Sequence, residues 1–485
     1  MTTADRAADS TAHSTASSGS GSGSGSAATL EDRPHLADLA DFVMASPSSY
    51  HAAAETARRL EAAGYTRLDE REEFPSAPGG YVIVRDGAVL AWRIPEGAAE
   101  GEGPSSGTAP VFRILGAHTD SPTFKLKPHP TSARDGWLQA GVEIYGGPLL
   151  NSWLDRELRF AGRLVTQDGT EHLVATGPMA RIPQLAIHLD REVNSGLTLD
   201  RQKHMLPIWG ALTEGGVGGV ETEGAGPRDI LAVLAGLAGV DAEQVRGVDV
   251  VMADSQRPAL FGASGEFFAS GRLDNLSSVH AGLVAMEQAG QGEGPRVAQG
   301  VAGEAAGAPV IPVLAAFDHE ELGSASRSGA AGPVLEDVLR RVLDALGVSG
   351  QGVARSFNGS WLLSADAGHL VHPNYAERHD PVNHPRVNAG PLLKINANQR
   401  YSTDAPGMAA FARWCADAGV PFQEFVSNNA MPCGSTIGPI SATRLGIRTV
   451  DVGIGLLSMH SAREMCGVED LEHLTGAVRS FFAGV

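Results

Sequence analysis

The strongest constraint on this chain is a set of short, largely apolar runs that each stop at a polar cluster. Val111 to Leu115 runs into Gly116-Ala117-His118, Ile311 to Phe317 into Asp318-His319-Glu320-Glu321, and Trp361 to Leu363 into Ser364-Ala365-Asp366. Short runs without polar alternation read as strands buried on both faces, which places them in a helix-covered α/β sheet. In open α/β sheets ligands bind beyond the carboxyl ends of the strands, so the cluster that ends each run stands where chemistry occurs. Helical stretches alternate with the runs. Leu36, Leu39, Ala40 and Val43 share one face before the Ser46-Pro47 break, and a second helix starts near Tyr50 and closes at Gly64. Val334, Leu335, Val338, Leu339, Val342 and Leu343 form another apolar face that stops by Gly347.

The texture changes between about Lys125 and Phe261, where short alternating pieces, many glycines and a turn at Gln167-Asp168-Gly169 predict hairpins. A mostly β domain inserted into an α/β one is the expected organisation: the catalytic domain begins over 31–124, the insert occupies 125–261, and the catalytic domain resumes over 262–485. Residues 1 to about 28 are mostly Ser, Thr, Gly and Ala, including four Gly-Ser repeats, and residues 1–30 are expected to form a disordered tail because they offer too little apolar surface to offset ordering entropy. Glu96 to Pro110 and Ala289 to Pro309 read as surface loops.

A formal charge of -19 over 485 residues argues against a surface for nucleic acid or anionic membrane, both of which need clustered Lys and Arg. Three cysteines without a CxxC pair leave neither a disulfide framework nor a thiolate zinc site. No secretory leader and no run of about 18 apolar residues is present, so cytoplasm is the expected compartment.

Hard or borderline metal donors recur in tight turns: His118-Thr119-Asp120, Asp274 within Gly271-Arg272-Leu273-Asp274-Asn275, Glu320-Glu321, Asp366 and His460. Imidazoles and carboxylates without sulfur suit catalytic zinc, manganese or cobalt. A carboxylate can bridge two cations and offset their repulsion, which a neutral imidazole cannot. Asp120, two residues beyond His118, can turn back to hold the second ring nitrogen. Of adjacent Glu320 and Glu321, one can ligate while the other moves protons. Each residue alone has a plainer reading: Asp274 serves equally as a helix N-cap before Leu276, and Asp366 as a turn residue.

Taken in order, the strings Gly116-Ala117-His118-Thr119-Asp120-Ser121-Pro122, Ile182 to Leu189, Ser270 to Leu276, Phe317 to Glu321, Ser364 to Asp366, His372 to Tyr375, Cys433 to Ile440 and Met459-His460-Ser461 resemble the M18 metallopeptidases, the aspartyl aminopeptidases. The resemblance runs from about residue 35 to the end. It implies a metallo-aminopeptidase domain with a central mixed sheet flanked by helices, interrupted by a dimerisation domain, and a dimer-based dodecamer. It also implies two divalent cations per subunit, with His118, Asp274 and Asp366 on one and Asp274, Glu321 and His460 on the other. Glu320 would be the general base and acid, and His188, His369, Lys394 and Tyr401 the substrate contacts, His188 also serving as an oxyanion donor. Val426 to Met431 departs from the Arg-x-Asp pattern associated with several members.

Lys394 carries the specificity argument, since Leu392, Leu393 and Ile395 predict a buried strand where an unpaired ammonium is costly. An acidic N-terminal residue of a peptide would relieve that cost. A neutral aminopeptidase, carboxypeptidase or deacylase would share the metal ligands without this pocket. A non-catalytic assembly protein of the same fold would lose ligands, yet all of them are present. For His188 the plainer reading is a satisfied histidine on an otherwise apolar strand.

Overall fold

The structure is a computed structural model describing residues 29–98, 109–212, 229–290 and 307–484. The Ser/Gly tail up to residue 28 and most of the two expected loops lie outside the described residues.

The apolar runs form the middle of a nine-stranded sheet. In chain order its strands are β1 (Thr66–Arg67), β2 (Gly79–Arg85), β3 (Ala88–Ile94), β4 (Val111–His118), β5 (Val310–Phe317), β6 (Trp361–Ala365), β7 (Leu392–Ile395), β8 (Gln423–Val426) and β9 (Arg448–Gly453). Their spatial order is β1-β2-β3-β5-β4-β6-β9-β7-β8. The central four, β5, β4, β6 and β9, run parallel, while β3 and β7 flank them antiparallel, so the sheet is mixed.

Every residue of β4 and β5 is buried, because helices cover both faces. On one face Phe112, Ile114, Val313 and Ala315 join the apolar stripe of helix Val334–Ala345, with Phe357 and Ile437. On the other, Leu115, Ala117, Leu314 and Ala316 meet helices Pro34–Ala45, Ser49–Ala62, Leu273–Gly290 and Val468–Ala483. The alternation hidden inside each apolar run is therefore a division between two cores. Replacing Phe112 or Leu115 by alanine would cost about 2–5 kcal/mol through lost transfer energy and the cavity left.

A second sheet is antiparallel throughout, with strands ordered Glu171–Ala175, Leu158–Thr166, Val245–Asp254, Thr123–Arg134, Trp137–Tyr145 and Ile208–Ala211. Its core holds Phe124, Leu138, Phe160, Val250 and Leu234, the last from helix Ile230–Ala238. The turn at Gln167-Asp168-Gly169 joins two of its strands; Gly169 takes φ +86°, and the Asp168 carboxylate accepts from Thr170 N at 3.1 Å. The chain leaves this sheet through Ala259–Phe261, which pairs with Phe267–Ser270 and, beyond it, Glu464–Gly467.

One sequence expectation fails here. Ile182 to Leu189 is not an apolar strand: Ile182 is buried, but Pro183 to Leu189 is irregular and exposed, with Leu189 at 75%. Among the described residues no neighbouring strand covers this segment, so its hydrophobicity did not specify a ladder.

Candidate metal centre and its surroundings

The parallel strands deliver their terminal residues to one edge. His118 is the last residue of β4, and Asp366 follows β6 directly, with its N–H donating to Val452 O at 2.9 Å. A Cβ on Gly453 would lie 1.7 Å from the Asp366 carbonyl oxygen, so the close approach of β9 to this residue requires glycine. Beyond β5 the chain reverses through His319 at φ +63° into a single 3-10 turn, Glu320–Leu322, which brings both glutamates to the edge. Asp274 enters from the start of helix Leu273–Gly290, and its non-helical backbone excludes an ordinary helical position there. His460 comes from a turn in which it takes φ +65°.

These residues converge around Asp274. Its Oδ1 lies 3.3 Å from His118 Nε2, and His118 Nε2 lies 3.4 Å from Asp366 Oδ1. Its Oδ2 lies 3.4 Å from His460 Nε2, which in turn is 3.7 Å from Glu321 Oε2. Two groups share Asp274, His118–Asp274–Asp366 and Asp274–Glu321–His460, and His118 with Glu320 and Glu321 makes a third, the candidate ligand atoms in each lying within 4.8 Å of one another. Glu320 Oε2 stands 4.0 Å from His118 Nε2.

The electrostatics of the cluster are those of a site short of positive charge. Burial, followed by the neighbouring carboxylates Asp366, Asp274 and Asp120, pushes the Glu320 carboxyl up to about 7 against the pull of His118. Burial and Asp274 drive Glu321 well above the carboxylate range. Burial opposes charge on both imidazoles, yet the surrounding carboxylates hold His118 and His460 above their ordinary value. Asp274, despite burial, is held below the carboxylate range by the same imidazoles. Asp274 Oδ1 and Glu321 Oε1 are buried without a hydrogen-bond partner. Orphaned carboxylate oxygens are costly in a protein interior, and a divalent cation would satisfy them, so the residues fit a metal centre.

Sequence reasoning missed the supports behind the ligands. The His118 Nδ1–H donates to the backbone carbonyl of Asp120 at 3.0 Å, while the Asp120 carboxylate is farther off at 3.4 Å. The tautomer is therefore set mainly by the main chain. The carboxylate instead accepts from Glu320 N at 3.0 Å, Glu321 N at 3.2 Å and Tyr145 Oη at 2.9 Å, fixing the turn that carries both glutamates. Glu464 accepts from Asp274 N at 3.0 Å and His460 N at 2.8 Å, one carboxylate bonded to the backbone of two candidate ligands. Gly147 O accepts from His460 Nδ1 at 3.1 Å. The adjacent Gly146-Gly147 pair was a usable sequence signal for close backbone approach.

Lys394 is 1% exposed, as its strand implied, but its cost of burial is already met within the chain. Its ammonium donates to Ala367 O at 2.7 Å, lies 3.7 Å from Asp366 Oδ2 and stands 5.3 Å above the Tyr401 ring. Tyr401 is buried against Phe425, and His369 meets Phe425 edge-on from the solvent side at 6.3 Å. His369, Lys394 and Tyr401 thus share one wall beside Asp366. His188 is not brought to them: it is exposed on the irregular segment after Ile182 and takes no part in any of the three candidate metal groups.

A helix-covered mixed sheet that gathers imidazoles and carboxylates at the ends of its parallel strands belongs to the α/β metallopeptidase class. A family model described as aminopeptidase I zinc metalloprotease (M18) matches residues 42–482. The chain belongs to the M18 family of zinc aminopeptidases. It is 50% identical over 452 residues to "Probable M18 family aminopeptidase 2" of Streptomyces coelicolor, covering 93% of this chain and 98% of that one. The protein of the same name from Pseudomonas paraeruginosa is 43% identical over 452 residues, covering 92% and 97%. Among solved structures, that of the Ape4 and Nbr1 complex superposes with a TM-score of 0.82 at 34% identity, covering 93% of this chain and 85% of that one. The S. cerevisiae mApe1 dodecamer gives 0.75 at 25% identity, covering 93% and 97%. Among the described residues no helix is long and apolar enough to cross a membrane.

Proposed function

We propose that this aminopeptidase removes N-terminal aspartate or glutamate from peptides through a pair of divalent cations, zinc with manganese or cobalt as alternatives. The observation that carries the reading is Asp274, whose two carboxylate oxygens face His118 and His460 separately. His118 and Asp366 would complete one cation's set, Glu321 and His460 the other's. Such cations supply Lewis acidity and lower the pKa of water. Glu320, whose Oε2 stands 4.0 Å from His118 Nε2 and which belongs to neither of the two proposed cation sets, is suited to take a proton from the attacking water and return it to the leaving amine. Asp120 holds Glu320 and Glu321 through their backbone N–H groups.

Lys394 supplies the positive charge beside Asp366 for a substrate carboxylate, with His369 and Tyr401 forming the rest of that wall. The pairing of Lys394 with Asp366 and Ala367 O also favours a second reading, a neutral aminopeptidase in which the lysine only braces a ligand. His188 would act as oxyanion donor in a neighbouring subunit, as part of a dimer-based dodecamer of the kind the mApe1 structure is named for. Exposed Leu185, Ile187 and Leu189 around it support a segment that a second copy covers. The insert over 125–261 would be the dimerisation domain, and the cytoplasm the compartment.

Metal content together with kcat/KM on Asp-, Glu-, Leu- and N-acetylated peptides tests the reading. Two equivalents of metal and a preference for Asp and Glu are expected. Equal or better turnover of Leu substrates would replace it with the neutral reading, and cleavage of acetylated ones would remove the aminopeptidase assignment.

A further inference from the structure

The two metal-ligand groups are supported from different parts of the molecule. His118 and Asp366 stand at the ends of β4 and β6, and their nearest backbone supports are Asp120 O, two residues beyond β4, and Val452 O in β9. Glu321 and His460 sit on turns, and the side chain of His460 is 32% exposed against 1% for His118. These turns lean on the segment that leaves strand Trp137–Tyr145 of the six-stranded sheet. Tyr145 Oη donates to the Asp120 carboxylate that holds Glu321 N. Gly146, at φ +70°, lies so close that an added Cβ would be 3.1 Å from Glu321 Cβ. Gly147 O fixes the His460 tautomer, Leu149 N–H donates to His460 O at 2.9 Å, and Ser152 Oγ accepts from Ala462 N at 2.9 Å.

We propose that Tyr145 to Leu149 is a positioning strap through which the six-stranded sheet sets cation affinity at the Glu321–His460 position and not at the His118–Asp366 position. The proposal rests on the two-cation reading above. Its consequence is unequal filling: the position held by the strap tightens or loosens with the second sheet, while the other, which meets the strap only through Asp120, follows the central sheet. Partners that orient ligands typically change metal affinity by about 10–100-fold when removed. Tyr145 acts through Asp120 and the glutamate turn, so its effect belongs at the lower end of that range.

The test is a zinc titration of chelator-stripped full-length protein by calorimetry, backed by competition with a chromophoric chelator. Wild type should bind two equivalents in two resolvable steps, and His460→Ala should abolish one of them. Tyr145→Phe should weaken that same step about tenfold and leave the other within twofold, and in the His460→Ala background it should change nothing. Gly146→Ala should act on the same step more strongly, and if it fails to fold the Tyr145→Phe pair decides the matter alone. Equal weakening of both steps, or of neither, overturns the strap. A wild-type stoichiometry of one overturns the two-cation reading and the strap with it, so the two failures are distinguishable.

Discussion

Replacing Lys394 with methionine separates a substrate-reading lysine from one that only braces the metal centre. The variant keeps the length and apolar bulk of a side chain that is 1% exposed, and removes an ammonium 3.7 Å from Asp366 Oδ2 and 2.7 Å from Ala367 O. Loss of the Asp366 contact should lower turnover of every substrate alike. Loss of the substrate contact should penalise acidic N-termini only, so the ratio of kcat/KM on Asp to that on Leu substrates cancels the shared part. Truncating one partner of a buried charge pair costs about 2–5 kcal/mol. Since the ammonium already leans on Asp366 and a carbonyl, the lower end, about 2 kcal/mol, applies, which at about 1.4 kcal/mol per decade is a roughly 30-fold fall in the ratio. Aminoacyl anilides with matched leaving groups, assayed beside metal content, provide the measurement. A ratio that stays within about threefold of wild type at unchanged metal content would refute the acidic pocket.

Glu320→Gln should retain wild-type metal content and lose about 10²–10⁴-fold in kcat, because the amide cannot shuttle protons; turnover within a few-fold would remove Glu320 as the base. His188→Ala subunits mixed with Glu320→Gln subunits should regain partial activity if His188 serves a neighbour, and inert mixed assemblies of verified composition would count against that. Acid should destabilise the protein through buried histidines. Burial, aided by Arg159 and Arg272, lowers His51 to about 4, and burial with His280 and Arg479 lowers His35 likewise. Their folded values lie below the ordinary 6.5, so their contribution is intact above about 6.5 and is lost as pH falls toward 4. His51→Asn should flatten the pH dependence of unfolding free energy in that window by up to about 1.4 kcal/mol per pH unit, measured by denaturant titration; an unchanged slope would show that His51 does not titrate on unfolding.

The central sheet and the convergence of the candidate ligands were legible because both are written locally. An apolar run ending in His118 or Asp366 states the strand and the place of its candidate ligand together, and Val334 to Leu343 states a helix face. What was not legible depends on approach between distant segments. Nothing near Lys394 announces that Asp366 and Ala367 O already partner it. Glu464 reads as an ordinary acid until Asp274 and His460 are both seen bonded to it, and Asp120 reads as an imidazole clamp although its carboxylate mainly holds Glu320 and Glu321. The segment after Ile182 misled for the opposite reason, since its apolar residues have the composition of a strand but no strand partner among the described residues.

The scatter of the ligands along the sequence also bears on when the molecule becomes a hydrolase. His118 is synthesised early and His460 late, and the whole six-stranded sheet lies between His118 and Asp274. Contacts between residues so far apart form only after the intervening loop entropy has been met, which places closure of the centre late in folding. A growing or partly opened chain therefore holds imidazoles and carboxylates without ever holding a complete set. Local opening at the exposed His460 turn would dismantle the centre before the buried ends of β4 and β6 come apart. Hydrolytic capacity is in this way confined to the finished fold.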